Sequence, residues 1–483
     1  MMSKMPMPNK EKPKKKTEIP KASFIKLPNN EIAESIWNAE KKEGKFLKYN
    51  IDTMKIEESY DINGIKPYNN EMIEKAVVLL PSMNEEYGDE KELLEDIRQF
   101  IHKYVDVSEF FEKLTSYYVM FSWAYDNFNT LPYLRVLGDY GSGKTRFLLT
   151  VGSVCYKPMF AGGATTPSPV FRIIDMFHGT LVLDEADFKA SEEWSEIIKI
   201  LNCGFQEGFP VLRTEEKDGQ REPRAYDCYS PKILATRKEF KDKALESRCL
   251  TERIVETGRM DIPLILGPEF KEEALLIRNK LLTFRFRHYG KHKIDHTLQD
   301  RTIEKRLNQV IIPLFSIAKD DDIRQEIMGF VKEYNKKLIA DRGEQFEALV
   351  LEKMFEILQN RIDNETLHEN LYLKQISDKV NSDLPPDRPI TPHRVSGMMR
   401  KMLFLELVKD RSGRYVRWNV PIFFKLIKKY GVCDDVTFAT FLRDTSSNVT
   451  QTKDTTIRDV LSVHPVGASQ PSHRHSKDNE NVL

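Results

Sequence analysis

The sequence predicts an α/β protein with a second, smaller domain near its C-terminal end. Strand-like and helix-like segments alternate between residues 133 and 257, which is the pattern of a parallel sheet covered by helices on both faces. Within that stretch, a glycine-rich run joins a short apolar strand to a helix. Residues 345–432 form a separate block of helices followed by two strands around a turn. A chain of 483 residues has room for about three domains.

Composition excludes several classes of protein. The 74 basic and 74 acidic residues cancel, so the chain is not a uniformly basic, histone-like protein. We find no apolar run near the ~18 residues that a membrane span needs, and no apolar segment follows the N-terminal lysines as a signal peptide requires. The five cysteines are scattered without a CxxC pair. We therefore expect a cytoplasmic protein in a reduced setting, without a membrane partner or a zinc site.

The glycine-rich run GDYGSGKT fits the phosphate-loop pattern GxxxxGK[ST], and its strand–loop–helix context makes the match specific. Glycines allow a tight turn whose backbone N–H groups face phosphate oxygens, and the helix N-terminus adds partial positive charge. We expect the lysine to reach the β- and γ-phosphates and the threonine to hold Mg²⁺. An ordinary glycine-rich turn is the alternative. The predicted ATP-binding residues are Gly138, Asp139, Tyr140, Gly141, Ser142, Gly143, Lys144 and Thr145.

A second motif follows about forty residues later. The strand Gly179–Leu183 ends in Asp184 and Glu185, at the strand end where open α/β sheets bind ligands. We predict that Asp184 binds Mg²⁺ and that Glu185 polarises the attacking water; solvated acids at a strand end are the alternative. The letters DEAD at 184–187 do not indicate a DEAD-box enzyme, because the C-terminal half shows no second motor domain.

A third strand, Pro231–Thr236, ends in a hydroxyl that can hold the attacking water. Thr236 is the candidate catalytic residue and Arg237 is the alternative; a threonine that only closes a strand is nearly as plausible. Next comes the turn Ser247-Arg248-Cys249. The order of these motifs resembles that of AAA+ ATPases: a strand and GxxxxGKT, a strand and DE, a strand and AT, and then a Ser-Arg-Cys turn. The resemblance is to clamp-loader, minichromosome-maintenance-type and mobile-element replicative helicase proteins in particular.

This resemblance implies a ring, most simply a hexamer, in which Arg248 contacts the γ-phosphate held by the neighbouring subunit. A planar guanidinium suits that charge. Arg253 is a rival, and a surface salt bridge is the alternative for both. The resemblance also implies a helical lid at 263–340, where Arg278, Arg301 or Arg306 would sense nucleotide. A polar hairpin around Lys217-Asp218-Gly219 is similar to the DNA-gripping hairpin of related ring helicases, or is simply solvated. Its candidate DNA-binding residues are Arg213, Lys217 and Arg221.

The C-terminal block has the order helix, helix, recognition helix, two-stranded wing, which resembles a winged helix. Such a domain places its third helix in the DNA major groove while wing arginines contact phosphates. A winged helix used for protein contacts is the alternative. The candidate DNA-binding residues are Arg394, Arg400 and Lys401 on the third helix and Arg411, Arg414 and Arg417 on the wing, with Lys409 beside them.

These predictions define an organisation and a function. The function is an ATP-dependent DNA helicase or translocase, a ring-forming motor on single-stranded or forked DNA in the replication of a mobile element or virus. The alternatives are a DNA-binding regulator or loader that uses ATP as an assembly switch, and a partner-recruiting ATPase without DNA function. The predicted segments are a disordered basic tail at 1–27, a mixed helical segment at 28–125, the AAA+ domain at 126–262, the lid at 263–340, the winged helix at 341–432 and a disordered tail at 433–483.

Overall fold

A computed structural model describes most of the chain between residues 19 and 433. The chain forms two compact units, Met1–Lys332 and Glu333–Leu483. Most of the two predicted tails, residues 1–18 and 434–483, lies outside the described residues. The structure describes residues 19–184, 192–217, 220–318, 321–343, 346–363, 366, 369–384, 389–401, 403, 405–417 and 420–433.

The first unit begins with an antiparallel sheet that sequence analysis did not predict. Its strand order is β2-β3-β4-β5. Residues 21–27, which we assigned to a disordered tail, form β1 and β2 instead. The apolar residues Ala22, Ile25 and Leu27 pack against a core of Ala33, Phe46 and Ile62. The basic composition of the preceding residues led us to overlook this short apolar pattern. The strands are β1 (Lys21–Ala22), β2 (Phe24–Leu27), β3 (Glu31–Asn38), β4 (Glu43–Asn50), β5 (Ile56–Ser59) and β6 (Lys66–Pro67).

Two long helices follow this sheet along the chain and pack against each other. The second helix of the chain buries Leu93 together with the periodic residues Ile97, Phe100, Ile101 and Tyr104, as the helical spacing predicts. The third helix is buried over most of its surface, which explains its aromatic composition. The elements are α1 (Glu71–Glu74), α2 (Glu90–Tyr104), α3 (Glu109–Ser122) and a 3-10 turn at Tyr125–Asn127.

The predicted parallel α/β sheet is confirmed. Its five strands are all parallel, in the order β13-β7-β12-β9-β8, and all five residues of both β7 and β12 are buried. Because the strands are parallel, their carboxyl ends meet at one edge, where the phosphate loop lies. The elements are β7 (Tyr133–Leu137), α4 (Lys144–Val154), β8 (Met159–Ala161), α5 (Pro167–Phe177), β9 (Leu181–Leu183), α6 (Glu192–Cys203), β12 (Lys232–Thr236), α7 (Lys243–Glu246) and β13 (Cys249–Arg253).

A two-stranded antiparallel hairpin is inserted between α6 and β12, where the sequence predicts one. Its strands are β10 (Val211–Lys217) and β11 (Gln220–Tyr226), joined across a two-residue loop that lies outside the described residues. One face of the hairpin lies toward α5, because Arg224 forms an ion pair with Asp175 and Tyr226 packs against the Phe171 ring. The opposite face is exposed.

Three helices occupy most of the described part of 263–340, the range of the predicted lid, and the first of them is built into the core. It packs against α2 and α4. Arg285, near its C-terminal end, is 2% exposed and forms ion pairs with Glu34 and Asp126. The contact with Glu34 joins this helix to β3. The elements are α8 (Pro268–His288), a 3-10 turn at His296–Leu298, α9 (Lys305–Ile317) and α10 (Asp321–Gly343).

The second unit has a core of its own, formed by apolar residues of four helices and a small sheet. The predicted third helix is present, and Val395, Met398 and Met399 are buried along it. Sequence analysis missed the two-residue strand β14, which pairs with β16 to make a three-stranded sheet in the order β14-β16-β15. The elements are α11 (Phe346–Asp363), β14 (Leu371–Tyr372), α12 (Leu373–Asn381), α13 (Pro392–Lys401), β15 (Leu407–Lys409), β16 (Arg414–Val416) and α14 (Val420–Tyr430).

A helix that crosses a bilayer must be both long and apolar. Over the residues described above, none combines enough length with enough apolar character to cross a membrane.

Candidate nucleotide site

The glycine-rich loop turns tightly between β7 and α4. Gly141 and Gly143 have φ angles of +74° and +88°, a left-handed conformation that favours glycine. Gly138 is needed for a different reason, since a Cβ there would lie 2.5 Å from both the Ile254 carbonyl oxygen and the Ser142 Oγ. The loop is therefore a cradle that side chains at its glycine positions would distort. That is the form required of a backbone that approaches phosphate closely.

Lys144 begins α4 and its ammonium group folds back over the loop. Nζ donates hydrogen bonds to the carbonyl oxygens of Gly138, at 2.9 Å, and Asp139, at 2.6 Å. The cation thus stands at the mouth of the cradle, beside the N-terminus of an eleven-residue helix. Both features favour an anion at this position.

Thr145 and Asp184, the two predicted Mg²⁺ ligands, are brought together by the fold. The Thr145 hydroxyl donates a 2.7 Å hydrogen bond to Asp184 Oδ2, although 39 residues separate them. Asp184 follows β9 directly, and its backbone N–H bonds the Ala161 carbonyl at 3.0 Å, which aligns it with the ends of β8 and β9. A hydroxyl and a carboxylate fit Mg²⁺, which binds one or two protein carboxylates together with phosphate oxygens. The predicted base, Glu185, lies outside the described residues.

Thr236 and Arg237 follow the central strand β12 at the same edge. The Thr236 carbonyl accepts a 3.1 Å hydrogen bond from the Gly138 N–H, so its backbone supports the loop. The Thr236 hydroxyl is buried and forms no hydrogen bond with any described residue. The Arg237 guanidinium lies 4.5 Å from the centre of the Tyr140 ring. Of these two candidate catalytic residues, Arg237 is the one whose side chain contacts a residue of the loop. The catalytic role of Thr236 stays a prediction.

Arg248 lies at the opposite edge of the sheet from its own phosphate loop. It precedes β13, whose residues Cys249 and Arg253 pair with Tyr133 and Leu137 of β7. Arg248 is therefore level with Pro132, six residues before Gly138, so about 20 Å of strand separates it from the start of the loop. The guanidinium lies 5.0 Å from the centre of the Phe205 ring. Burial and the nearby Arg306 lower the pKa of Arg248. Arg253, in contrast, ends β13 beside the loop of its own chain.

Two of the three predicted lid arginines, Arg278 and Arg306, contact residues away from the loop. Arg278 is 6% exposed and donates a 2.6 Å hydrogen bond to the Ser153 carbonyl at the far end of α4; burial lowers its pKa to about 10. This contact packs α8 on α4. Arg306 lies 5.2 Å from the centre of the Phe205 ring, beside Arg248. Arg301 is exposed in the turn before α9.

Two arginines near the loop were missed by sequence analysis. Arg146 donates to the carbonyl oxygens of Pro263, at 2.8 Å, and Leu264, at 2.6 Å, and so holds the segment after β13 against α4. Arg259 in the same segment forms an ion pair with Asp261. The one available signal was the position of Arg146 directly after the GKT letters.

The hairpin places its candidate DNA-binding residues on different faces. Arg213 faces α5 and α6, where it forms a 3.0 Å ion pair with Glu196 and lies 5.3 Å from the centre of the Phe171 ring. Arg221 is exposed on the other face, opposite Glu216. Lys217 ends β10, and its side chain is not among those described. Arg221 is therefore the better placed of the two described arginines to contact DNA.

The C-terminal candidates surround one side of α13 and the β15–β16 turn. Arg394 lies in the first turn of α13 and is exposed; Arg400 donates to the buried Ser396 hydroxyl at 3.3 Å. Arg411 and Arg414 are exposed at the turn and on β16. The remaining two differ from these: Arg417 forms a 2.8 Å ion pair with Glu406, and the side chain of Lys401 lies outside the described set.

Comparisons with known proteins give only distant structural similarity. Neither a protein-family model nor a curated protein matches the chain. The apo structure of the NrS-1 C-terminal region aligns at 11% identity over 80% of this chain and 96% of that one, with a TM-score of 0.29. A ligand-bound JCV helicase aligns at 14% identity over 51% of this chain and 61% of that one, with a TM-score of 0.23. At TM-scores this low, function has to be argued from the residues of the chain itself.

Proposed function

We propose that this chain binds ATP with Mg²⁺ at the loop 138–145 and hydrolyses it. The observation that carries the proposal is the 2.7 Å hydrogen bond between Thr145 and Asp184, because it puts a hydroxyl and a carboxylate from separate segments where one metal ion can bind both. The bound ion would neutralise charge on the phosphates. Lys144 would hold the β- and γ-phosphates, and Glu185 would orient the attacking water.

We further propose that hydrolysis drives movement on DNA. The second unit supports this, since its helices α11–α13 are followed by β15 and β16, the element order expected of the proposed winged helix. Arg394, Arg411 and Arg414 are exposed on the third helix, at the turn and on β16. Phosphate contacts by such residues position a protein on a duplex. The exposed face of the β10–β11 hairpin, with Arg221, offers a second surface for a DNA backbone.

Ring assembly is part of the same proposal. Arg248 lies about 20 Å along the strand from the level of its own loop, so we assign it to a site on another subunit. Its tie to Asn202 and Phe205 holds the guanidinium in a fixed direction. A guanidinium supplied in this way raises turnover by roughly three to five orders of magnitude in other nucleotide hydrolases.

A regulator or loader that binds DNA and uses ATP only as an assembly switch is the competing function. The two differ in strand displacement, which only a motor performs. The experiment therefore measures ATP hydrolysis with and without single-stranded DNA, and displacement of a labelled strand from a forked duplex. We expect DNA-stimulated hydrolysis and displacement by the wild type.

The matched variants are Lys144→Ala and, as a control, Lys41→Ala, which changes an exposed lysine in the turn between β3 and β4. Lys144→Ala should abolish nucleotide binding or turnover, while Lys41→Ala should behave as the wild type. Normal hydrolysis by Lys144→Ala would refute the loop assignment. Binding of forked DNA with hydrolysis but no displacement would favour the loader.

A further inference from the structure

We propose that a cavity beside the phosphate loop holds the adenine base of the nucleotide, and that the Asp106 carboxylate accepts a hydrogen bond from its exocyclic amino group. This inference rests on the proposed function, because it assumes that the triphosphate binds at 138–145. It adds the base specificity of the site and names the residue that determines it.

The cavity is continuous with the loop. Gly141, Ser142 and Gly143 form one wall, and the other walls come from residues 104–106, before α3, and from the segment 254–264, after β13. Its volume is about 230 Å³, less than the roughly 300–1,000 Å³ of a pocket for a whole ligand. Such a space suits one part of a nucleotide whose phosphates lie on the loop.

The walls have the character that a flat aromatic base requires. Val105, Ile254, Ile262 and Pro263 are apolar lining residues. Leu264, on the rim, is 94% exposed, which leaves a large apolar side chain in water beside the opening. A bound base would cover part of this surface and gain the corresponding hydrophobic free energy.

The Asp106 carboxylate is the charged acceptor among the residues that line the cavity and are not paired with a cation there. Thr257 donates a 2.6 Å hydrogen bond to Asp106 Oδ2, so one carboxylate oxygen is engaged and the carboxylate is held in place. The Arg146 guanidinium is occupied by the Pro263 and Leu264 carbonyls, and Arg259 by Asp261. A carboxylate is an acceptor when ionised. It therefore selects a base that presents an amino group, and a single remaining oxygen matches the lone amino group of adenine better than the two adjacent donors of guanine.

The test compares ATP with purine riboside triphosphate, which is the same ligand without the amino group. Affinities are measured by calorimetry with Mg²⁺ for the wild type, for Asp106→Ala, and for the control Asp52→Asn, whose exposed carboxylate accepts a hydrogen bond from Asn30 far from the loop. We expect the wild type to prefer ATP by about 10- to 100-fold, the range for a hydrogen bond to a charged group. Asp106→Ala should lose that preference and bind purine riboside triphosphate as the wild type does.

The outcomes separate this inference from the function on which it rests. Equal weakening of both nucleotides in Asp106→Ala, or a wild type that binds both equally, would overturn the role of Asp106 while leaving the ATPase proposal intact. A folded wild type that binds neither nucleotide would overturn the proposed function and the base pocket with it. Retained affinity of Asp106→Ala for purine riboside triphosphate is also the proof that the variant is folded.

Discussion

Replacing Glu34 by glutamine should destabilise the first unit strongly, because Glu34 is a buried carboxylate between two buried cations. Its side chain is 1% exposed. It accepts hydrogen bonds from Lys157 Nζ at 2.7 Å, from the Tyr156 hydroxyl at 2.8 Å and from the Arg285 guanidinium. Glu34→Gln keeps the shape of the side chain and removes its charge.

The expected loss in the free energy of unfolding depends on which partners Arg285 and Lys157 keep after Glu34 loses its charge. Removing one member of a buried ion pair costs about 3–5 kcal/mol. Arg285 retains Asp126, at 2.8 Å, and the Trp123 carbonyl. Burial already lowers the pKa of Lys157 to about 8, so without Glu34 this lysine can lose its proton near neutral pH. Both effects limit the loss, and we expect a decrease near the lower end, about 3 kcal/mol.

The assay is urea unfolding at pH 7, followed by tryptophan fluorescence, since Trp123 packs against Tyr156 in this cluster. The control is Glu58→Gln, which removes an exposed carboxylate paired with Lys45 in the same sheet and should leave the unfolding midpoint unchanged. Equal midpoints for Glu34→Gln and Glu58→Gln would refute the reasoning that this buried cluster joins the N-terminal sheet to α8.

Three further predictions concern the loop, a buried lysine and the ring. Gly138→Ala should weaken ATP binding at least tenfold in calorimetry, because its Cβ meets the loop at 2.5 Å, whereas Gly162→Ala meets nothing within 4 Å and should bind normally. Burial lowers the pKa of Lys232 to about 7, so between pH 7 and 10.5 the unfolded state binds a proton that the folded state lacks, and the free energy of unfolding rises with pH. Lys232→Met should remove that rise when urea unfolding is measured across this pH range, and an unchanged pH dependence would contradict the prediction. Mixing inactive Arg248→Ala and Glu185→Gln subunits should restore some ATP hydrolysis, and failure at every mixing ratio would argue against a site shared between subunits.

The features that sequence analysis predicted best are those carried by neighbouring residues. The glycine-rich turn between β7 and α4, the strand before Asp184 and the β10–β11 hairpin each depend on short local patterns, so they can be recognised without the fold. The helix α13 is similar, because Thr391 accepts a hydrogen bond from the Arg394 N–H at 3.3 Å and Pro392 begins the helix.

The features that it missed depend on contacts between distant segments. The N-terminal sheet contains the buried charge of Glu34, which satisfies Arg285 251 residues away, and a hydrophobic pattern gives no sign of such a pair. The cavity at Asp106 requires three separate segments to meet. Arg278 was one of three candidate nucleotide-sensing arginines, and periodicity does not reveal that its partner is the Ser153 carbonyl.

The contacts of the hairpin with α5 have a mechanical consequence. Glu215 on β10 pairs with Arg172 of α5, and Arg224 on β11 pairs with Asp175 of the same helix. This helix leads within a few residues into β9, and the next residue after β9 is Asp184. Tension on the hairpin would therefore be transmitted through charged side chains to the strand that precedes Asp184, the proposed metal ligand. One short stretch of chain would then link mechanical load to the proposed hydrolysis.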